Sequence, residues 1–373
     1  MPRRAGDRRD YIDWARGIAV LIMIQVHVLD AWTVRAAQSS DAFRNLQLLG
    51  GFAAPLFLWL AGLVLVLAAE RHTARHGDRG EACRVAVARG LEIFVLGFAF
   101  RLQSFLFSLG ASPLTIFRVD ILNVMGLSLA AAGCLWGLVP ARRQLIAFSA
   151  TALGIAMVTP IIRVSPWVDG LPVWFQWYLR PAGEHTTFTG FPWAGFVFAG
   201  DAIGTLVTRA TRRQERRLHV GMVGAGAALV VIGVYLASLP SIYRESSFWT
   251  SSPTFFIVRV GVLMMVLACI FAAVRLVPVG RLASSSWQWL PALGRSSLFV
   301  YWIHVELVYG WVAWPLRRSL SLGQALLAWA ALVALMYALV GLRDRFMASW
   351  RSPRGGRVPD GFQATRHESP LTS

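Results

Sequence analysis

The sequence contains no lysine; all 36 basic residues are arginine. Charged residues of either sign make up only 15% of the chain, against about 25% in a typical soluble domain. Hydrophobic residues reach 56%, and counting the 33 glycines brings the apolar share to roughly 65%, above the usual 45–50%. For the chain as a whole this balance excludes disorder, an ordinary cytosolic enzyme and, despite a net charge of +17, a nucleic-acid-binding arm. Cysteine is scarce as well. Cys83, Cys134 and Cys269 are widely separated and two lie in apolar stretches, which excludes a disulfide framework and leaves packing as their role. There is no P-loop, no glycine fingerprint after a strand and no HExxH sequence. A nucleotide-driven pump and a zinc protease are thereby excluded, and no metal is expected.

What the chain has instead is long apolar runs. A hydrocarbon core is crossed by about 20 apolar residues in a helix. On that rule ten spans are expected, near 13–33, 48–69, 85–108, 117–138, 144–162, 188–208, 218–239, 254–275, 291–312 and 321–342. The expected fold is therefore all-α, a polytopic integral membrane protein. A short N-terminal segment (1–12) precedes the transmembrane domain (13–342), and a polar, disordered tail follows (343–373). The first run is too long for a signal-peptide core and opens with Asp13 and Arg16, so a retained helix is expected.

Arginine position orients the bundle. With the N-terminus inside, 23 arginines fall on the inner side and 7 on the outer, the other 6 lying within or at the edges of spans. The positive-inside rule then places both termini in the cytoplasm of a multi-pass inner-membrane protein. The longest outer loop, 163–187, carries Trp167, Trp174, Trp177 and Tyr178, which read as an interfacial belt or as a platform for an acceptor. Gly195, Gly200 and Gly204 suit close helix packing better than phosphate binding.

Ionisable residues inside spans are costly and mark function. His27 lies roughly 20 Å above the inner edge at about 1.5 Å of rise per residue, with Asp30 one turn later. Arg101, Arg118, Asp120, Arg259, His304 and Glu306 also fall in the outer half. An inner set comprises Asp13, Arg16, Arg89 and Arg295, with Asp201 in the inner half of the sixth span. Arg89 with Glu92 reads most simply as a self-neutralising i,i+3 pair, Asp13 with Arg16 as a helix-end pair, and His304 as a structural histidine. His27, deep in an apolar helix with only Gln25 polar nearby, fits none of these readings. A neutral imidazole can remove a proton from a hydroxyl or amine, or carry an acyl group. Neighbouring arginines can stabilise an oxyanion or hold an anion. Those are the parts of an acyl-transfer site.

At these residues the chain resembles the polytopic acyltransferases related to heparan-α-glucosaminide N-acetyltransferase. The resemblance runs through Tyr-Ile-Asp-Trp-Ala-Arg-Gly-Ile-Ala-Val-Leu-Ile-Met-Ile-Gln-Val-His (11–27), Phe-Arg-Val-Asp-Ile-Leu-Asn-Val-Met-Gly-Leu (117–127), the glycine-rich segment 191–204 and Leu-Gly-Arg-Ser-Ser-Leu-Phe-Val-Tyr-Trp-Ile-His (293–304). It implies acetyl-CoA, or another acyl-CoA, as cytosolic co-substrate and an extracytoplasmic sugar, glycan or small-molecule acceptor. In one place the pattern departs. The lysosomal enzyme has asparagine where His27 aligns and its essential histidine in the following outer loop, whereas 36–39 here reads Ala-Ala-Gln-Ser. That histidine does not carry over; His27 matches the first-helix histidine of related bacterial acyltransferases.

The resulting expectation is an acyltransferase with His27 as general base or transient acyl carrier, oriented by Asp30. Arg101, Arg118, Asp120, Arg259, His304 and Glu306 are expected on the acceptor side, and Asp13, Arg16, Arg89 and Arg295 at the CoA entrance. Its partners are the lipid bilayer, acyl-CoA and the acceptor, with homodimerisation left open. The alternative is a proton-coupled transporter or permease using the same buried groups as a relay. Against that stand the lack of an inverted repeat and of paired proline-broken spans.

Overall fold

The computed structural model describes residues 9–107, 112–276 and 285–351. Among these residues the chain is helical, with short 3-10 turns and two isolated bridges, Thr33 with Leu320 and Val119 with Thr186. Helix α1 (Asp10–Trp32) carries Asp10 and Asp13 in its first turn, where the helix dipole favours acidic groups. The one-turn α2 (Arg35–Gln38) and α3 (Asp41–Gly50) lie at its far end, and the Phe43 N–H donates to the Ser40 hydroxyl at 3.2 Å. Helix α4 (Ala53–His76) returns and stops at Gly77, whose φ of 75° is left-handed. Asp78 then caps α5 (Arg79–Leu106), and the Glu81 and Gly80 N–H groups hold its carboxyl below the usual carboxylate range.

Asp120 opens α6 (Ile121–Leu138) through a capping box with Asn123. Then follow α7 (Ala141–Val164), the short α8 (Val173–Leu179), α9 (Gly190–Arg209), α10 (Glu215–Ala237) and α11 (Pro253–Leu276). The last elements are α12 (Ser285–Arg295), α13 (Ser297–Tyr309) and α14 (Leu322–Arg351).

Each of the ten expected spans overlaps a helix, and eight of the helical segments are long and apolar enough to cross a membrane. The other two are instructive. Helix α5 carries Arg89, Glu92 and Arg101. The ninth span, expected as one helix over 291–312, is broken at Ser296 between α12 and α13, where Gly294, Ser296 and Ser297 are weaker helix formers. The expected disordered tail from 343 is also shortened: α14 continues to Arg351, and the remainder of that segment lies outside the described residues.

Backbones approach closely where side chains are smallest. A Cβ on Gly62 would sit 2.0 Å from the Val197 carbonyl oxygen, and one on Gly200 only 1.9 Å from that of Trp59. Helices α4 and α9 are thus locked by glycine, as membrane helices favour. Gly90 and Gly126 bring α5 and α6 together in the same way, with Cβ positions 2.4 and 2.3 Å from the Ala130 and Phe94 amide nitrogens. Gly17 and Gly294 seat α12 against α1. Of the cysteines expected to serve packing, Cys83 is half-buried and packs against the core, while Cys134 and Cys269 are exposed on the bundle surface.

At the far end, the 163–187 loop is partly folded inward. Trp177 is buried beside Val119 and Val124 and stacks on His185 at 4.5 Å, whereas Trp167 and Trp174 stay exposed.

Candidate functional site

Helices α1, α4, α5, α6 and α13 enclose a cavity of about 1780 Å³. It follows α4 from Ala53 to His72, a rise of about 28 Å, and α5 from Ala82 to Leu106. It therefore extends through nearly the full height of the bundle. Its volume exceeds the roughly 300–1,000 Å³ of an ordinary small-molecule pocket, leaving room for two reactants end to end.

Near the middle of this passage His27 projects from α1. Its Nδ1 lies 2.9 Å from Nε2 of His304 on α13, with the two rings near-parallel at 9°. His304 is fully buried, and its Nδ1 lies 2.7 Å from the Val300 carbonyl oxygen one turn earlier. Tyr309 meets the His27 ring edge-on at 5.7 Å, and its hydroxyl donates to Asp30 at 3.4 Å. The expected contact between Asp30 and His27 is therefore replaced. Asp30 is exposed to the cavity and held by Tyr309, while the histidine from α13 occupies His27 Nδ1. The reason is geometric: the neighbouring helix brings a ring nitrogen within hydrogen-bonding distance of that atom.

In the same half of the passage as His27, Arg101 Nη2 pairs with Asp120 Oδ2 at 2.6 Å, and the hydroxyl of Tyr301, one turn before His304 on α13, donates to the same oxygen at 3.2 Å. Arg118 and Glu306 line this part of the cavity too, and no hydrogen-bond acceptor meets Arg118 Nε among the described residues. Arg259 does not line the cavity. It sits over the Phe255 ring at 4.1 Å and 5.9 Å from Trp193, which itself lines the wall. His304 likewise stands behind the wall instead of on the acceptor surface.

At the N-terminal end of the cavity, Arg16 donates to the Ser297 hydroxyl at 3.0 Å, and Arg89 forms the expected pair with Glu92 at 2.9 Å while still facing the passage. Asp13 and Arg295 depart from the expected entrance: neither lines the cavity, and Arg295 is exposed. Helix α12 packs its Gly294 against the Asp13 backbone at this junction.

Several lining residues were invisible as candidates. Tyr301 and Tyr309 lie at i,i+8 along α13 amid apolar neighbours, and His72 stands in a run of polar residues that reads as a helix end. The repeated aromatic and histidine positions on the ninth apolar run were the available signal for the tyrosines. Among the described residues, no group of three His, Cys, Asp or Glu side chains is placed to hold a metal ion.

An all-α bundle of apolar helices around a largely apolar passage, set with an imidazole and several charged groups, defines a polytopic membrane protein with an internal small-molecule site. A family profile described as heparan-alpha-glucosaminide N-acetyltransferase, catalytic, matches residues 8–243, well over half of the chain, and the protein belongs to that family. Membership implies a membrane acyltransferase. No curated protein matches the chain.

Proposed function

We propose that the protein is an inner-membrane acyltransferase that moves an acetyl or other short acyl group from cytosolic acyl-CoA to an extracytoplasmic sugar or glycan. The observation that carries this reading is one continuous cavity lined by Arg16, His72 and Arg89 toward one face and by Arg101, Arg118 and Glu306, in the same half as His27, toward the other. Arginine at the N-terminal end suits the phosphates of CoA, since guanidinium groups bind phosphate as forked donors. The far end offers both cationic and carboxylate groups to a polar acceptor.

In this mechanism His27 removes the proton of the acceptor amine or hydroxyl as its lone pair attacks the thioester carbonyl. The C–S bond then breaks, and the departing thiolate takes up the proton. Arg118, whose side chain lines the passage, stabilises negative charge on the acceptor or the developing oxyanion in this reading.

A proton-coupled permease could use the same passage, and family membership favours transfer over transport. The test is to supply purified protein with acetyl-CoA and glucosamine and to follow free thiol and acetylated sugar together. Equimolar release of CoA and formation of product are expected. Folded protein that consumes no acetyl-CoA with any amino sugar or glycan acceptor overturns the proposal.

A further inference from the structure

We infer that His304 is a positioning residue that fixes the tautomer of His27, leaving His27 Nε2 as a bare lone pair in the passage. This rests on the acyltransferase reading above for its consequence, but the hydrogen-bond argument stands on geometry alone. His304 also lies beyond residue 243, outside the part of the chain matched by the family profile.

A carbonyl oxygen can only accept, so the 2.7 Å contact from His304 Nδ1 to the Val300 oxygen requires a proton on Nδ1. A neutral imidazole carries one N–H, so His304 Nε2 is then an acceptor. Nδ1 of His27, 2.9 Å away, must donate to it. The proton of neutral His27 is thereby committed to Nδ1, and Nε2 is left to act as base. Each step follows from the one before, and the chain is anchored on a helix backbone that cannot change its role.

His304 is fully buried and absent from the cavity wall, so it acts through His27 and not on substrate. The arrangement also accounts for the proton during transfer. When His27 Nε2 takes the acceptor's proton, the ring carries N–H groups at both positions. Its Nδ1 proton can shift to His304 Nε2, whose ring then holds the positive charge while still donating to Val300. When CoA thiolate leaves, it takes the proton from His27 Nε2, and the Nδ1 proton returns. One proton enters from the acceptor and one leaves on the thiol, so the relay ends as it began.

The experiment is ¹⁵N spectroscopy of histidine-labelled full-length protein in lipid nanodiscs at neutral pH. His27 is assigned among the 7 histidines by loss of its signals in His27→Asn. The expected spectrum shows His27 protonated at Nδ1 and bare at Nε2, with a through-hydrogen-bond ¹⁵N–¹⁵N coupling to His304. A proton on His27 Nε2, or no coupling, overturns the inference whether or not the protein transfers acyl groups. Conversely, the expected spectrum in a protein that never consumes acyl-CoA leaves the tautomer assignment standing and removes only the functional reading.

Kinetics supply the second arm. His304→Leu removes the acceptor and should lower kcat by about 10²–10⁴-fold, the range for loss of base catalysis or of its orienting partner, with KM for acyl-CoA within about twofold. His304→Gln retains an amide oxygen able to accept from His27 Nδ1 and should recover at least about tenfold of that loss. Wild-type kcat in a folded His304→Leu protein overturns the inference, as does equal loss in both variants. Should His304→Leu fail to fold, the wild-type spectrum and the His304→Gln rate still decide it.

Discussion

Replacing Asp120 tests how the far half of the cavity is built. The carboxylate is 6% exposed and accepts from Arg101 at 2.6 Å, from Tyr301 at 3.2 Å and from the Ile121 N–H at 2.7 Å as the cap of α6. Asp120→Ala removes all three partners. Loss of the cap costs about 1 kcal/mol. Leaving a buried guanidinium without its counter-charge costs about 3–5 kcal/mol, and the lower end applies because Arg101, 17% exposed, can meet cavity water. The two losses share one side chain, so about 4 kcal/mol is expected in all. Asp120→Asn keeps one oxygen for the cap but sets its NH2 where Tyr301 and Arg101 donate, so it should recover only the cap, about 1 kcal/mol relative to alanine. The double variant Arg101→Met/Asp120→Leu removes the charges together and should recover most of the ion-pair cost. The assay is the midpoint of SDS-induced unfolding of each purified variant, followed by tryptophan fluorescence. Asp120→Ala as stable as wild type, or a double variant at least as unstable as both single losses summed, would refute the reasoning.

Other parts of the structure are equally open to test. Gly200→Ala places a methyl 1.9 Å from the Trp59 carbonyl oxygen, so α4 and α9 must separate at a cost of about 1–3 kcal/mol or more. Gly221→Ala on α10 meets nothing within 4 Å and should leave the unfolding midpoint unchanged or raised. At the N-terminal end of the passage, Arg16→Ala should raise KM for acetyl-CoA by about 10–100-fold, the range for one charge-assisted hydrogen bond. Exposed Arg295, off the cavity wall, should change it by less than about twofold when replaced by alanine; equal effects of the two would dismiss this assignment of the entrance.

Apolar periodicity made the helices legible because lipid imposes one length rule on every span. It misread the ninth span, where hydropathy counts apolar residues but not the weak helix propensity around Ser296. His27 stood out because a histidine within Ile-Met-Ile-Gln-Val has no local partner. Its actual partner lies 277 residues away on α13, a distance that spacing along the chain cannot reveal. The same limit explains Asp30, which is one turn from His27 in sequence yet is held by Tyr309 from another helix. Arg101 and Asp120 were both singled out, but their ion pair depends on how Gly90 and Gly126 dock α5 on α6. Arg295 and Asp13 looked like entrance charges by depth alone, yet both sit where α12 packs on α1 and neither lines the cavity.

The central claim is that the imidazole at position 27 performs the transfer inside the passage. It is tested most directly by sealed proteoliposomes holding wild-type or His27→Ala protein, given labelled acetyl-CoA on one side and glucosamine on the other. The account predicts labelled sugar across the bilayer from wild type and a loss of at least about 10²-fold in the variant, with its fold and insertion intact. Undiminished transfer by His27→Ala would contradict it.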